Sequence, residues 1–178
     1  MGSLAQAATG LDWDAIYADN LPRVFRFFCY RVGDTAVAED LTSTTFEKAW
    51  RNRDRYRRDE AGFQAWLFTI ARNVANDHFR RVPLSDSIDA AADLPSPELT
   101  DAEFDRREQF RRLAALLLSL SPPERDLIAL KYGTEMSNRE IGRLLGLSES
   151  NVGTVLSRLV ARLRARWDGA RAPGGVTR

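Results

Sequence analysis

The side chains best suited to recognising another molecule are polar and basic groups that recur at helical spacing near the C-terminus. Between residues 136 and 167, a serine that can cap a helix precedes each of two apolar-periodic segments, and a glycine-led break at residues 146–148 separates them. Opposite the apolar stripe, the second segment carries Ser150, Asn151, Thr154, Arg158 and Arg162. Hydroxyl and amide groups near a helix start suit base edges, and guanidinium groups further along suit phosphates. The pattern favours a DNA-binding helix–turn–helix, with an amphipathic hairpin that has a solvated basic face as the alternative.

The sequence contains few of the residues that catalytic sites and metal sites commonly use. His78 is the only histidine and Cys29 the only cysteine, so the chain cannot build a histidine cluster, a cysteine-cluster zinc site or an internal disulfide. A nuclease would need a metal site or an acid–base cluster, and no suitable motif is visible. We therefore expect a protein that is not an enzyme and that uses no metal or other cofactor, with Cys29 as a small buried hydrophobe.

The formal net charge of +1 hides segments of different charge. Residues 1–81 carry 12 basic and 11 acidic side chains. Residues 82–105 carry 7 acidic side chains and no basic one, and residues 106–178 carry 14 basic and 7 acidic side chains. The net charges are therefore +1, -7 and +7. The acidic middle also holds three prolines and only a weak apolar pattern, which is typical of a linker. The basic C-terminal third suits nucleic acid.

Apolar periodicity predicts that helices position all of these groups. We expect a first helix from about Asp12, interrupted at residues 20–22 because Pro22 lacks a backbone donor, and a second helix that Asp34 caps. A later helix should bury one stripe of side chains: Phe63, Trp66, Leu67, Ile70 and Val74. The first C-terminal helix should begin near Arg106 and bury another: Phe110, Leu113, Leu116, Leu117 and Leu120.

The expected fold class is all-α, with two small helical domains joined by a flexible acidic linker. We place a disordered leader at residues 1–11, the first domain at 12–81, the linker at 82–105, the second domain at 106–168 and a tail at 169–178. No run of 18 apolar residues exists, so we expect a cytoplasmic protein without membrane insertion.

Two further polar groups in the N-terminal domain are candidates for contact with nucleic acid. Residues 51–58 hold five arginines around Tyr56, which fits either a solvated loop or a grip on a single strand through phosphate attraction and base stacking. Asn73 and Asn76 lie on the outer side of the next helix. Asparagine there either reads base edges or bonds to a neighbouring helix.

Three stretches resemble a known family. AEDLTSTTFEKAWR from Ala38 and AWLFTIARNVANDHFRR from Ala65 resemble region 2 of the extracytoplasmic-function sigma factors. SPPERDLIALKYG from Ser121, followed by the helix–turn–helix, resembles region 4 of the same family. The resemblance covers roughly residues 14–167 apart from the linker. It implies an alternative sigma factor that binds bacterial RNA polymerase core and directs promoter recognition and melting for transcription initiation.

The resemblance also implies a role for each motif. The first would bind polymerase through Asp40, Leu41, Phe46, Glu47 and Trp50. The second, with the residues before it, would engage the melted -10 element through Arg55, Tyr56, Arg57, Arg72, Asn73, Asn76, Asp77, Arg80 and Arg81. The helix–turn–helix would read the -35 element through Ser150, Asn151, Thr154, Arg158 and Arg162.

The implied partners are promoter DNA and two parts of RNA polymerase core, the clamp coiled coil of the largest subunit and the flap of the second. An anti-sigma factor that covers the binding faces is also implied. The alternative is a stand-alone helix–turn–helix regulator, which would account for residues 106–167 and leave the N-terminal domain without a role.

Overall fold

The computed structural model describes residues 12–56, 62–81 and 101–169. These ranges contain the helices α1 (Trp13–Val32), α2 (Thr35–Arg51), α3 (Gly62–Arg81), α4 (Asp101–Leu118), α5 (Pro122–Ile128), α6 (Asn138–Leu145) and α7 (Glu149–Gly169). A 3-10 turn, Arg53–Arg55, follows α2, and a π-helical segment, Ala129–Gly133, continues α5. The all-α fold class is confirmed, since no strand occurs in the described ranges. The expected leader, most of the linker and nearly all of the tail lie outside them.

Helix α1 runs through Pro22 without a break, so the interruption expected at residues 20–22 is wrong. Pro22 removes one backbone hydrogen bond from a helix of 20 residues. On either side of it, Trp13 and Val24 are buried in the same core, and the side chain of Asn20 donates to the Ile16 carbonyl at 2.8 Å. Burial of one continuous face outweighs the single lost bond. The helix begins next to Asp12, as expected, and the Asp12 side chain caps it; Asp34 caps α2, also as expected.

The first three helices pack around aromatic side chains. The Phe27 ring lies 5.2 Å from that of Phe28 and 5.7 Å from that of Phe68 in edge contacts, and all three are fully buried. The buried stripe of α3 is rotated from the expected one, because Phe68 and Ala71 are buried while Trp66 and Ile70 are half-exposed. Helix α3 meets α1 and α2 at once, which widens its buried face beyond one stripe.

The buried face of α4 also differs from the expected one. The helix begins at Asp101, not near Arg106, and Phe110 and Leu113 are exposed at 40% and 36%. Leu117 and Leu120 are buried as expected, and Ala114 is buried where Phe110 and Leu113 were expected to be. A Cβ added to Gly33 would lie 2.9 Å from the Cβ of Ala114, so the end of α1 approaches the small-residue face of α4. The tertiary contact decides which face of α4 turns inward.

The two halves of the chain are packed against each other. Helix α1 of the N-terminal half contacts the π-helical segment of the C-terminal half. Gly133, in that segment, is buried, and a Cβ there would lie 2.9 Å from both the backbone N and the Cα of Phe27. Only a residue without a side chain permits this approach.

No helix in residues 12–56, 62–81 and 101–169 is both long enough and apolar enough to cross a lipid bilayer.

Truncation of Phe68 tests the buried face of α3. Phe68→Ala should lower the free energy of unfolding by about 3–5 kcal/mol, because a fully buried ring leaves a cavity. The adjacent exposed Thr69→Ala should change it by less than about 0.5 kcal/mol. Urea unfolding followed by circular dichroism measures both, and equal effects would refute the observed orientation of α3.

Candidate nucleic-acid interface

The helix–turn–helix has the turn that the sequence predicts. Ser137 begins α6 through reciprocal bonds: its amide donates to Glu140 Oε2 at 2.8 Å, and the Glu140 amide donates to Ser137 Oγ at 3.2 Å. Gly146 ends α6 in the left-handed region, with φ of 70°. The Leu147 amide then donates back to the Gly142 carbonyl at 2.8 Å. A Cβ on Gly142 would lie 2.5 Å from the Leu147 carbonyl oxygen, so the turn requires glycine at that position.

Helix α7 presents the predicted polar strip. Val152, Leu156 and Leu159 are buried against the rest of the domain. The strip on the opposite face is exposed along its whole length: Ser150, Asn151, Thr154, Arg158 and Arg162. The first of these residues lie in the opening turn of the helix, where side chains can reach base edges in a major groove. The arrangement therefore suits duplex DNA, with base-reading groups at one end and cations further along.

Arg162 is held by a contact within the C-terminal half. Its Nη2 donates to Glu124 Oε1 at 2.7 Å, across from α7 to α5. This bond lowers the pKa of the Glu124 carboxyl. The amide and hydroxyl of Ser121 also donate to Glu124, at Oε2, as expected for a cap of α5. Arg158, two turns from the start of α7, lies exposed on the strip.

The proposed protein-binding residues of α2 differ in exposure. Asp40, Glu47 and Trp50 are exposed, with Trp50 at 41%, and Leu41 is half-buried. Phe46 is buried, and its ring lies 4.7 Å from that of Tyr17. In this conformation Phe46 supports the helix, while the other four side chains offer surface for a partner.

The arginine-rich stretch after α2 is ordered by aromatic contacts as far as Tyr56. Arg55 is exposed, and Arg57 lies outside the described residues. The half-buried Tyr56 ring lies 5.4 Å from that of Phe63 and 5.3 Å from that of Trp66. The Arg53 guanidinium lies 4.4 Å from the centre of the Trp50 ring. Part of the Tyr56 ring is therefore already in edge and tilted contacts with aromatic rings of the protein itself.

The outer face of α3 is divided between surface and internal contacts. Asn73, Arg80 and Arg81 are exposed. Asp77 accepts a hydrogen bond from Arg80, which lowers the pKa of this carboxyl, and its Oδ2 lies 3.5 Å from Lys48 Nζ. Asn76 is exposed as well, and Arg31 Nη2 donates to its Oδ1 at 3.1 Å, which is the hydrogen bond to a neighbouring helix that the sequence left open.

Sequence reasoning missed a buried charge cluster between the two halves. Asp126 of α5 accepts from Arg31 Nε at Oδ1 (2.7 Å) and from Arg72 Nε at Oδ2 (3.1 Å). The Arg31 and Asp126 side chains are only 1% and 7% exposed. Burial lowers the pKa of Arg31 and opposes the effect of Asp126. An available signal was the position of Arg31 on the apolar face of α1, among residues spaced for burial.

A second buried arginine borders this cluster. Arg125 Nη2 donates to the carbonyls of Leu118 and Leu120, each at 2.9 Å. Its guanidinium lies 5.0 Å from the centre of the Phe79 ring, and that of Arg31 lies 4.9 Å from the same centre. Burial lowers the pKa of Arg125 to about 10, so it stays cationic at neutral pH. Phe79 thus faces two buried cations, which adds a cation–π contribution to the contact.

Cys29 is half-buried rather than fully enclosed. Burial raises the pKa of its thiol to about 11, so it is protonated at neutral pH and a poor nucleophile. Within residues 12–56, 62–81 and 101–169, no group of three or more side chains of the metal-binding types comes together.

The Glu140 cap makes the stability of the helix–turn–helix depend on pH. Hydrogen bonds from Ser137 lower the pKa of Glu140 below its ordinary value of 4.5. The ionised Glu140 cap therefore stabilises the folded state fully above pH 4.5, and this stabilisation is lost as the pH falls through the lowered pKa. The parent should be more stable than Glu140→Gln at pH 7, and the gap should narrow below about pH 4.5. Chemical unfolding across this range measures the gap. Ser137→Ala should cost about 1 kcal/mol and weaken the pH dependence; an unchanged gap at low pH would exclude the carboxylate cap.

Comparison with known proteins places both halves of the chain in one family. Residues 16–82 match Sigma-70 region 2, and residues 110–163 match Sigma-70, region 4. SigL of Mycobacterium tuberculosis, an ECF RNA polymerase sigma factor, is 31% identical over 166 residues, which cover 90% of each chain. BldN of Streptomyces coelicolor, another ECF RNA polymerase sigma factor, is 32% identical over 89% of this chain, which spans 61% of the length of BldN. The structure of CnrH in complex with the cytosolic domain of CnrY matches with a TM-score of 0.67 and 26% identity, over 93% of this chain and 96% of CnrH. The chain therefore belongs to the extracytoplasmic-function sigma factors, a family of alternative sigma factors for RNA polymerase.

Proposed function

We propose that the protein binds bacterial RNA polymerase core, directs it to a promoter and helps to melt the DNA there, without catalysing a reaction itself. The observation that carries this proposal is the pairing of an exposed recognition strip on α7 with an exposed partner surface on α2 in one chain of this family. Its site of action would be the cytoplasm, where the polymerase and the chromosome are.

The C-terminal half supplies the duplex-reading part of this function. Ser150, Asn151 and Thr154 would contact base edges of the -35 element from the first turns of α7. Arg158 would contact phosphate, and Arg162 would do so after leaving Glu124. The support is the exposure of the whole strip, together with the buried side chains that hold α7 against α6.

The N-terminal half supplies polymerase binding and melting. Asp40, Glu47 and Trp50 would contact the clamp coiled coil directly, with Leu41 at the edge of the surface and Phe46 behind it. Helix α3 and the preceding turn would hold unpaired -10 bases through the following residues: Arg55, Tyr56, Arg57, Arg72, Asn73, Asn76, Asp77, Arg80 and Arg81. Melting would follow from differential affinity, since binding of the separated strand favours the open DNA.

A regulatory partner is part of the proposal. CnrH, which this chain resembles over nearly its whole length, is seen in complex with the cytosolic domain of CnrY. We propose that an anti-sigma factor likewise covers the polymerase- and DNA-binding surfaces of this protein. A stand-alone helix–turn–helix regulator would leave the match of residues 16–82 to region 2 without a purpose.

The domain boundaries belong to the same proposal. Residues 12–81 would act on polymerase and the -10 element, and residues 106–168 would act on the -35 element and the polymerase flap. Residues 82–105 would connect them, although the helix at Asp101–Leu118 takes up the last part of that segment.

Transcription in a purified system tests the function as a whole. Core polymerase supplied with this protein and fragmented genomic DNA should give discrete, protein-dependent transcripts, and sequencing of their 5′ ends should return a shared promoter. Transcripts with no dependence on the protein would contradict the proposal. A gel shift with duplex DNA in the absence of polymerase, without such transcripts, would favour the regulator.

Substitution of Asp40 tests the polymerase-binding surface. Asp40→Ala should weaken binding to core polymerase while it changes the free energy of unfolding by less than about 0.5 kcal/mol, because the side chain is exposed. Asp19→Ala, an exposed acid on α1, is the matched control and should leave polymerase affinity unchanged. Fluorescence titration of labelled protein with core polymerase measures the affinity; equal affinities for the two variants would remove Asp40 from the surface.

Paired substitutions on α7 test the division between base and phosphate contacts. Arg158→Ala should weaken binding to all -35 duplexes similarly and reduce the salt slope by about 1, as expected for a lost phosphate contact. Asn151→Ala should cost roughly 1–3 kcal/mol on the preferred duplex and less on mismatched ones. Binding isotherms of the reconstituted holoenzyme on a panel of -35 variants, at two salt concentrations, separate the two effects. A uniform loss for Asn151→Ala would reassign Asn151 to the DNA backbone.

A further inference from the structure

We propose that the contact between the two halves is autoinhibitory, with Asp126 occupying the place on Arg72 that a phosphate of the melted strand would take. This inference rests on the proposed function, because it assumes that α3 binds the -10 strand. It assigns the closed arrangement to this chain alone, without a second protein.

The carboxylate of Asp126 binds the fork of Arg72, by which we mean the Nε and Nη2 donors of its guanidinium group. Arg72 Nε and Nη2 both lie 3.1 Å from Asp126 Oδ2, and the other carboxylate oxygen accepts from Arg31 at 2.7 Å. Carboxylate and phosphate oxygens suit the same guanidinium geometry. The Arg72 side chain is only 26% exposed in this position. A DNA phosphate would have to displace Asp126 in order to use the fork.

The same cluster also occupies Asn76. Its Oδ1 accepts from Arg31 Nη2 at 3.1 Å, so the amide oxygen that would read a base edge is engaged. Two of the proposed -10 residues are thus tied to contacts that α5 helps to organise. Asn73, Arg80 and Arg81 are exposed on the same helix, and Asn76 is exposed too, although its oxygen is engaged. Closure therefore removes part of the -10 surface and leaves an approach for DNA.

The interface has features of a contact that opens. Arg31 Nη1 and Arg125 Nε are buried without a hydrogen-bond partner in the described structure, whereas donors in permanent interiors are normally satisfied. Buried apolar side chains of both halves share one core, and further polar links lie beside it: Arg23 Nη2 donates to the Thr134 carbonyl at 2.6 Å, and the exposed Arg26 pairs with Glu135 at 3.1 Å. Water can replace the polar links when the halves separate, which lowers the cost of opening relative to that of a wholly apolar contact.

Two substitutions should open the interface between the halves, one by removing a charge and the other by adding a steric clash. Asp126→Asn removes the charge that Arg72 binds and keeps an oxygen that can accept from Arg31. Gly133→Ala adds a methyl group against the backbone of Arg26 and Phe27 in the other half, with the nearest atoms at 2.9 Å. The matched controls are Asp168→Asn, the same charge change at an exposed site, and Gly169→Ala, where nothing lies within 4 Å.

The first readout is the size of the full-length chain in solution. Small-angle X-ray scattering should give both interface variants a radius of gyration larger than that of the parent by at least about 3 Å, against about 16 Å for one compact body of this length. The two controls should match the parent. Circular dichroism confirms that helical content is retained; if Asp126→Asn loses helix, Gly133→Ala decides the result alone.

The second readout is affinity for a single strand. The probe is labelled oligo(dT) of about 12 nucleotides, because a phosphate contact does not depend on sequence. If about one tenth of the parent is open, each interface variant should bind up to about tenfold more tightly than its control. Arg72→Gln added to Asp126→Asn should remove the gain, which ties it to the released fork.

The outcomes separate this inference from the function on which it rests. Interface variants as compact as their controls would overturn the closed arrangement. Larger variants with no gain in affinity would overturn the autoinhibition. Loss of polymerase-dependent transcription in the parent would instead overturn the proposed function, whatever the scattering shows.

Discussion

The carboxylate of Asp126, shared between Arg31 and Arg72, is the interaction on which the arrangement of this molecule depends. It is buried, and it joins one helix of the C-terminal half to two helices of the N-terminal half. A charge removed from water is costly unless a partner of opposite sign and further hydrogen bonds accompany it. Arg31 has a partner of opposite sign and also donates to Asn76, although its Nη1 has no hydrogen-bond partner in the described residues. Either half alone would leave part of this cluster unpaired, so the charges fix how the halves meet.

Small residues allow the charges to come together. At the end of α1, the missing side chain of Gly33 leaves room for Ala114. Gly133 likewise leaves room for the backbone of Phe27, which lies within α1. Helix α1 is thus held close to the C-terminal half at two places along its length. Between them, the Phe79 ring faces the guanidinium groups of Arg31 and Arg125. Steric fit and electrostatics act on the same surface, which makes the closed arrangement specific.

This arrangement affects the functional surfaces unequally. The recognition strip of α7 and the acidic groups Asp40 and Glu47 of α2 lie open to solvent. On α3, the internal anion engages Arg72 while Asn73 stays free. Under the proposed function, duplex DNA and polymerase would meet surfaces that are already formed, whereas the melted strand would have to displace Asp126 from Arg72.

The sequence alone determined the local structure and the family. Capping residues such as Ser137 and Glu140, and glycines such as Gly146, act within a few residues of themselves, so the helix–turn–helix could be read without coordinates. The strip on α7 followed from helical periodicity, because the buried side chains Val152, Leu156 and Leu159 recur at helical spacing and leave the opposite face exposed. The family motifs followed from order and spacing in the chain.

Only the tertiary structure decided which faces of α3 and α4 are buried, that α1 continues through Pro22, and that Asp126 joins Arg31 and Arg72. Arg31 and Asp126 are 95 residues apart, and no local pattern marks them as partners. Their pairing is favourable only where the packing of α1, α3 and α5 excludes water and brings the charges into contact. That requirement depends on the whole fold, which is why local patterns in the chain do not reveal it.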